Sequence, residues 1–311
     1  MNARKAVLIV NPGSGRGKGR ERALDFRESW IQKFGADIKI RETKSKEDIG
    51  VSVKETFSPD TVQIFLGGDG TVSECLQALS EMEKFEKISN PVGILPAGSG
   101  NSFLRDFDIT DYISAKENLI SALEKNESRD VDMALLNFRN SSGQESTRIM
   151  FNIFGVGVVP LIAELAMKMR FLGSFNYTAA TLWKIFSHRK MKVDAVIDGK
   201  EEILESDFIS ICNSRYTGGA MIMAPDVRTD DGRLYLVAPS MKSKFQILGL
   251  FPKIFKGDHV NHPDVRNHFV NDIHMRSDKE LLLLIDGELE RGYNPLISVK
   301  PRFWKIFVSG K

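Results

Sequence analysis

Three glycines surround one aspartate in Gly67-Gly68-Asp69-Gly70-Thr71, directly after the short apolar run Val62-Gln63-Ile64-Phe65-Leu66. Glycine has no side chain and tolerates positive φ, so such a loop lets the backbone approach a phosphate closely. Ser73 to Met82 then places Cys75, Leu76, Ala78, Leu79 and Met82 at a helical spacing. A helix opening here would aim its free N–H groups at an anion. Asp69 opposes a bound phosphate unless it holds a metal or accepts a proton. The plainer reading, a tight turn with a capping Asp, is disfavoured because three glycines make a costly cap. Asn11-Pro12-Gly13-Ser14-Gly15-Arg16-Gly17-Lys18-Gly19 is a second glycine-rich loop, here with cations, and Ser14 can donate a hydroxyl. It lacks the Gly-Lys-Ser/Thr ending of the standard P-loop, and a flexible basic loop is an equal reading. Pro96-Ala97-Gly98-Ser99-Gly100-Asn101-Ser102 is a third loop, with Ser99, Asn101 and Ser102 as its polar members.

The second half carries its own acids. Ala224-Pro225-Asp226-Val227-Arg228-Thr229-Asp230-Asp231-Gly232 holds three carboxylates, which suits a hard cation or, equally, a solvated turn. Ile285-Asp286-Gly287-Glu288 ends an apolar run. If that segment is extended, Asp286 and Glu288 project from one face, and their repulsion raises one of them toward a general-base value. An ordinary Asp-Gly turn is the competing reading and is slightly favoured from these residues alone. His259 and His262 lack nearby Cys or Glu partners, so loop hydrogen bonding is expected of them rather than metal ligation. Ala166 to Lys192 mixes Met, Phe and Trp with six cations. This stretch either packs on the rest of the protein with a solvated basic face, the commoner case, or lies on anionic lipid.

These residues need elements to hold them. Ala6 to Val10, Asp37 to Arg41, Val62 to Leu66 and Val92 to Leu95 read as strands, alternating with helices over Arg22–Phe34, Lys46–Phe57 and Ser73–Met82. That alternation predicts a doubly wound parallel α/β sheet, with ligands at the carboxyl ends of its strands, where the three loops fall. The loops should therefore converge on one nucleotide-sized site. After Asp132 the pattern becomes mainly antiparallel β, expected as a sandwich. Its strands are read at Met133–Phe138, Arg148–Phe154, Met191–Ile197, Ile203–Asn213, Arg233–Ala238, Ile273–Arg276, Glu280–Ile285 and Leu296–Lys300, with a hairpin turn at Asp198-Gly199. The expected domains are 1–132 and 133–311, packed closely over a cleft, with the extreme C-terminus free to pack back on the first.

Composition bounds the function. A chain of 311 residues with 42% hydrophobic and 27% charged residues is ordinary for a globular protein, and a net charge of +2 gives no case for nucleic acid. Cys75 and Cys212 are the only cysteines, each inside an expected element, so they read as small buried hydrophobes. Ile153 to Ala163, the most apolar stretch, is about half the length a spanning helix needs. A cytoplasmic protein is expected, soluble or resting on the inner membrane face.

Asn11 to Gly15, Gly67 to Thr71 with Glu74, Leu95 to Asn101 with Arg105, Ala224 to Gly232 and Asp286-Gly287-Glu288 occur in the order found in the diacylglycerol kinase catalytic-domain family, and the chain resembles that family over nearly its whole length. The family includes bacterial lipid kinases, sphingosine kinases and ceramide kinases. The resemblance implies a nucleotide domain followed by a β-sandwich, with catalysis between them. It implies ATP contacts at Asn11, Ser14, Thr43, Gly67, Gly68, Asp69, Gly70, Thr71, Val72, Ser73, Ser99 and Asn101. It further implies that Asp69 organises Mg2+ and ATP, that Glu288 takes the proton of the lipid hydroxyl, and that Asp286 stands beside it. Asp231, with the carbonyls of Arg228 and Arg233, matches the family's second Mg2+ position, and Asp132 matches an Asp of its metal–water network. Many bacterial diacylglycerol kinases read Gly-Thr-Gly-Asn-Asp where this chain has Gly98-Ser99-Gly100-Asn101-Ser102, a wording closer to sphingosine kinases. The expectation is an ATP- and Mg2+-dependent kinase of a membrane lipid, diacylglycerol or sphingoid-like, in peripheral contact with the membrane, with a homodimer as the candidate assembly. The alternatives are a kinase of a soluble alcohol such as NAD and a non-catalytic nucleotide or lipid sensor.

Overall fold

The computed structural model describes residues 5–97, 101–169, 176–187 and 189–310. The chain divides into two compact units, residues 1–133 with 301–311, and residues 134–300.

In the first unit β1 (Lys5–Val10), β2 (Lys39–Glu42), β3 (Thr61–Gly67) and β4 (Gly93–Pro96) form a parallel sheet in the order β2-β1-β3-β4. Val7 to Val10 and Gln63 to Gly67 are buried without alternation, as strands covered on both faces must be. The covering helices are α2 (Gly19–Phe34), α3 (Lys46–Thr56), α4 (Asp69–Met82) and α5 (Tyr112–Lys125), and a short irregular turn, α1 (Ser14–Gly17), precedes them. The sequence spacing did not mark α5, yet its signal is local. Asp111 caps it, accepting from the N–H groups of Ile113 and Ser114, while the Ser114 hydroxyl returns a bond to the cap. The last eleven residues belong to this unit. Trp304 is fully buried against Phe103, with ring centroids 5.4 Å apart, and Val92 and Phe303 to Phe307 exchange backbone hydrogen bonds with their neighbours as an added edge.

The second unit is built on one continuous sheet. Its strands are β5 (Arg129–Asn140), β6 (Glu145–Met150), β7 (Ile153–Gly157), β8 (Met191–Ile197), β9 (Lys200–Ser206), β10 (Phe208–Cys212), β13 (Leu234–Pro239), β14 (Val265–Val270), β15 (Asp272–Arg276), β16 (Leu281–Ile285) and β17 (Glu288–Ile306); a separate ribbon pairs β11 (Tyr216–Thr217) with β12 (Met221–Ile222). The main path runs β14-β13-β10-β7-β16-β17-β15-β8-β9. Its two end strands meet, because Arg266 of β14 donates to Glu202 of β9 at 2.9 Å. The sheet is thus curled into facing layers around one apolar cluster that includes Ile211, Leu236, Val193 and Ile273. The alternate residues Phe208, Cys212, Tyr235 and Val237 point the other way and pack with α8 (Lys244–Ile254) and with Val158 of α6 (Val158–Lys168) and Ile185 of α7 (Asn176–Ser187).

Two expected strands are broken in the structure, each by a buried carboxylate. Arg148–Phe154 divides at Phe151-Asn152, whose N–H groups turn toward Asp286. Ile203–Asn213 divides at Asp207, whose own N–H reaches Pro239 O while its carboxylate accepts from Met241 N–H at 2.8 Å. Strand β14 and helix α8 carry no mark in the sequence reading. For α8 the Ser243–Gln246 capping box was the available signal.

Candidate active site

The loops at the carboxyl ends of the first unit's strands are hydrogen-bonded one to the next. Asn11 donates from Nδ2 to Thr71 Oγ1 at 3.2 Å, and its Oδ1 accepts from Gly13 N–H at 3.1 Å. Thr43, buried at the end of β2, donates its N–H and its hydroxyl to the carbonyl of Val10. Ala97 N–H donates to Gly67 O at 2.8 Å, and the Arg22 guanidinium reaches Pro96 O at 2.8 Å. Ser102 N–H donates to Asp69 Oδ2 at 3.1 Å. The Gly67–Thr71 loop is therefore tied to the Asn11–Gly19 loop through Thr71 and to the Pro96–Ser102 loop through Asp69. Of the third loop, Asn101 is buried, and Ser99 lies outside the described residues.

The glycines differ in what they do. A Cβ on Gly67 would lie 2.4 Å from Thr71 Cβ, so this residue is small to let the α4 turn close. A Cβ on Gly68 would meet nothing within 4 Å. Gly68 precedes the first turn of α4 and supplies no side-chain cap to it. Val72 and Ser73 bury their side chains in that first turn, leaving only their backbone to serve a ligand. In the Asn11–Gly19 loop, Gly15 and Arg16 both adopt left-handed backbone, at φ 63° and 61°, and Ser14 N–H is held by Asn11 O.

Asp69 is the loop's one charge. Desolvation pushes its carboxyl up to about 6, against the lowering pull of hydrogen bonds from the Ser102 backbone and hydroxyl. Among the described residues no lysine or arginine pairs with it. A desolvated carboxylate in the first turn of a helix, with no cation paired to it among the described residues, fits a site completed by a hard metal ion carried with a phosphate.

In the second unit the Asp286-Gly287 pair is a two-residue hairpin turn between β16 and β17. Ile285 pairs with Glu288, and both turn residues have positive φ, 49° and 94°. The premise that Asp286 and Glu288 share one face of an extended segment is corrected: the chain reverses between them. The Asp286 side chain is buried and accepts three backbone N–H groups, from Phe151 at 3.0 Å and from Asn152 and Ile153 at 2.9 Å each. Its own N–H donates to Ile153 O at 2.8 Å. Glu288, one residue past the turn, is half-buried at the start of β17. Around Asp286 the sequence reading missed a buried polar group. Asn213 donates its side-chain amide to Phe151 O and its N–H to Asn152 O, and Ser214 donates to Asn152 Oδ1. Their signal was polarity inside apolar strands, at Asn152 and Asn213-Ser214.

The remaining acids turn to protein partners. Asp132 is fully buried and accepts from Arg302 N–H at 2.7 Å, holding that residue's left-handed turn. In the Ala224–Gly232 loop, Asp230 pairs with Arg228 at 3.0 Å, Asp231 accepts from Arg233 N–H at 3.0 Å, and Asp226 lies 3.5 Å from the Tyr235 hydroxyl. No three of His, Cys, Asp and Glu gather as a metal-ligand group among the described residues. His259 bonds to Met223 O through Nε2, and His262 accepts from Asp264 N–H, so both serve their loop.

Two family models divide the chain between them. One, described as "Diacylglycerol kinase catalytic domain", matches residues 5–136; the other, "YegS C-terminal NAD kinase beta sandwich-like domain", matches residues 152–308. The chain belongs to the diacylglycerol kinase catalytic-domain family. It is 29% identical to a diacylglycerol kinase of Mycobacterium tuberculosis over 87% of this chain and 84% of that one. It is 24% identical to a diacylglycerol kinase of Staphylococcus carnosus over 92% and 89%. In fold it matches the crystal structure of a diacylglycerol kinase from Bacillus anthracis at a TM-score of 0.71, with 21% identity and 99% and 98% of the two chains covered. Yeast NADH kinase is more distant, at a TM-score of 0.55 and 12% identity, covering 100% of this chain and 85% of that one. As a member of this kinase family the chain is an enzyme of phosphoryl transfer. Ser102 hydrogen-bonds Asp69 and adds no second negative charge beside it.

Proposed function

We propose that this chain transfers the γ-phosphate of ATP to the hydroxyl of a membrane lipid, a diacylglycerol or a sphingoid-like alcohol. The observation that carries the nucleotide half is the pair of ties Asn11–Thr71 and Asp69–Ser102, which gather three small-residue loops around the uncapped start of α4. Such a start offers N–H groups and a favourable dipole to phosphate oxygens. The lipid half is supported by the chain's likeness to the diacylglycerol kinases of Mycobacterium tuberculosis and Staphylococcus carnosus.

In this reading the backbone of Gly67 to Ser73, with Asn11, Ser14, Thr43, Ser99 and Asn101, binds the nucleotide. Asp69 would organise Mg2+ with the triphosphate, whose charge the metal offsets when bound; Asp231 with the carbonyls of Arg228 and Arg233 would serve a second Mg2+, and Asp132 a metal–water network. Glu288 accepts the proton of the lipid hydroxyl as its oxygen bonds to the γ-phosphorus; the bond to the β-phosphate oxygen breaks and ADP leaves. Asp286 fixes the hairpin that presents Glu288, through its three backbone N–H bonds. The protein would work at the inner face of the cytoplasmic membrane.

Incubation with ATP labelled at the γ-position and a total lipid extract tests the reading, with identification of the labelled product. Label in a lipid supports it. Label in NAD, the acceptor class suggested by the distant NADH kinase likeness, replaces the lipid half, and nucleotide binding without transfer to any acceptor leaves only a sensor.

A further inference from the structure

We propose that the paired helices α7 and α8 form the surface by which this protein seats itself on an anionic bilayer, with Trp183, Phe186 and Phe245 entering the headgroup region. The proposal rests on the membrane-lipid acceptor argued above and assigns the residues that reach the membrane.

The two helices pack on each other and on the sheet through one set of apolar residues and leave another set outside. Ile185 of α7 and Ile247, Leu250 and Ile254 of α8 are buried together. Leu182, Trp183 and Phe186 stand at positions i, i+1 and i+4, a shared helical face, and are 42%, 70% and 52% exposed. Phe245, at the start of α8, is 74% exposed and meets Phe186 edge-to-face, with ring centroids 5.9 Å apart. The exposed rings of two helices distant in sequence thus form one continuous ridge. Water gives no reason to keep such a group of large apolar side chains outside, and a patch of this kind marks an interaction surface.

Charge identifies the occupant. The stretches 176–192 and 240–257 contain eight lysines and arginines (Lys184, Arg189, Lys190, Lys192, Lys242, Lys244, Lys253 and Lys256) and no Asp or Glu, in a chain whose overall charge is only +2. Lys190 donates to Ser240 Oγ at 2.9 Å, so the two basic flanks lie side by side. Aromatic rings in the centre and cations at the border match an anionic lipid interface, where rings settle at headgroup depth and each cation adds attraction to the leaflet. No helix among the described residues is long and apolar enough to cross a membrane.

The test uses the full chain. Of its three tryptophans, Trp30 and Trp304 are buried, at 1% and 0% exposure, so tryptophan emission that responds to lipid reports on Trp183. With vesicles of phosphatidylcholine and phosphatidylglycerol, emission should shift to the blue and be quenched by brominated acyl chains, and W183F should abolish both responses. The variant W183A/F245A changes only exposed side chains, so its melting temperature should stay at the wild-type value, while its co-sedimentation with these vesicles should weaken about tenfold or more. Wild-type vesicle binding by that variant, or emission that brominated lipid leaves untouched, overturns the proposal. So does a lipid-free dimer that the variant turns into a monomer, which would assign the ridge to a second copy of the chain. Turnover of lipid dispersed in detergent micelles should be equal for wild type and variant. Absence of turnover in both would refute the lipid-kinase reading and leave the vesicle result to judge the docking surface alone.

Discussion

The side-chain amide of Asn11 donates to the hydroxyl of Thr71 at 3.2 Å, joining residues sixty positions apart, one just past β1 and the other in the first turn of α4. Each residue also serves its own loop: Asn11 holds Gly13 N–H, and Thr71 fills the space that Gly67 leaves empty. One hydrogen bond thereby sets the separation of two loops whose backbone is proposed to hold the same triphosphate.

Gly67→Ala and Gly68→Ala should separate structure from binding. A methyl on Gly67 falls 2.4 Å from Thr71 Cβ, so this variant should lose about 1–3 kcal/mol of stability as the loop is pushed open. A methyl on Gly68 meets nothing within 4 Å, so its melting temperature should hold while nucleotide affinity falls, because the methyl occupies the approach to α4. Thermal unfolding and nucleotide titration of the two variants check this; equal nucleotide affinity in Gly68→Ala and wild type removes the phosphate from that position.

Asp69 should make the nucleotide-free protein less stable as pH rises. Its carboxyl is raised from 3.8 to about 6, so below pH 4 it is protonated in both the folded and unfolded states and has no effect. Between about pH 4 and 6 the unfolded chain ionises first, and the folded state loses on the order of 3 kcal/mol that is not regained above pH 6. Asp69→Asn should flatten this part of the profile and be the more stable protein at pH 7.5. Melting curves from pH 4 to 8 test it, and identical profiles for the two proteins would contradict it.

Asp286 and Glu288 should part company on mutation. Asp286→Ala leaves three buried N–H groups without their acceptor and should cost about 2–4 kcal/mol, seen in denaturant unfolding. Glu288→Gln should unfold at the wild-type midpoint and bind nucleotide normally, with turnover down by about a hundredfold or more. A stable Asp286→Ala protein, or a Glu288→Gln protein with full turnover, would reverse the roles given to them.

The C-terminal segment should be indispensable to the first unit. Trp304 is fully buried against Phe103, and Ser309 exchanges two hydrogen bonds with Asn118. Trp304→Ala should cost about 3–5 kcal/mol. A chain ending at residue 300 should lose the protection of β3 and β4 amides in hydrogen exchange, and full protection there would show that the segment only decorates the surface.

The sequence by itself determined the kind of elements and the chemistry of the loops. The apolar runs of β1 and β3 read as buried strands, and the glycines around Asp69 as a turn that admits close backbone approach, because both signals are written in neighbouring residues. The family was legible for the same reason: its five motifs are local and occur in order. Two-residue spacing was a poor guide at Asp286 and Glu288, since the Asp-Gly pair reverses the chain before the period of a strand can apply. Tertiary structure alone decided that the Asp286 carboxylate is held by Phe151, Asn152 and Ile153, that Asp207 and Asp286 break two strands, and that Phe245 joins Phe186 in one ridge. Each of those relations depends on how segments dozens of residues apart are packed, and the energy that fixes them belongs to partners that no stretch of local sequence names.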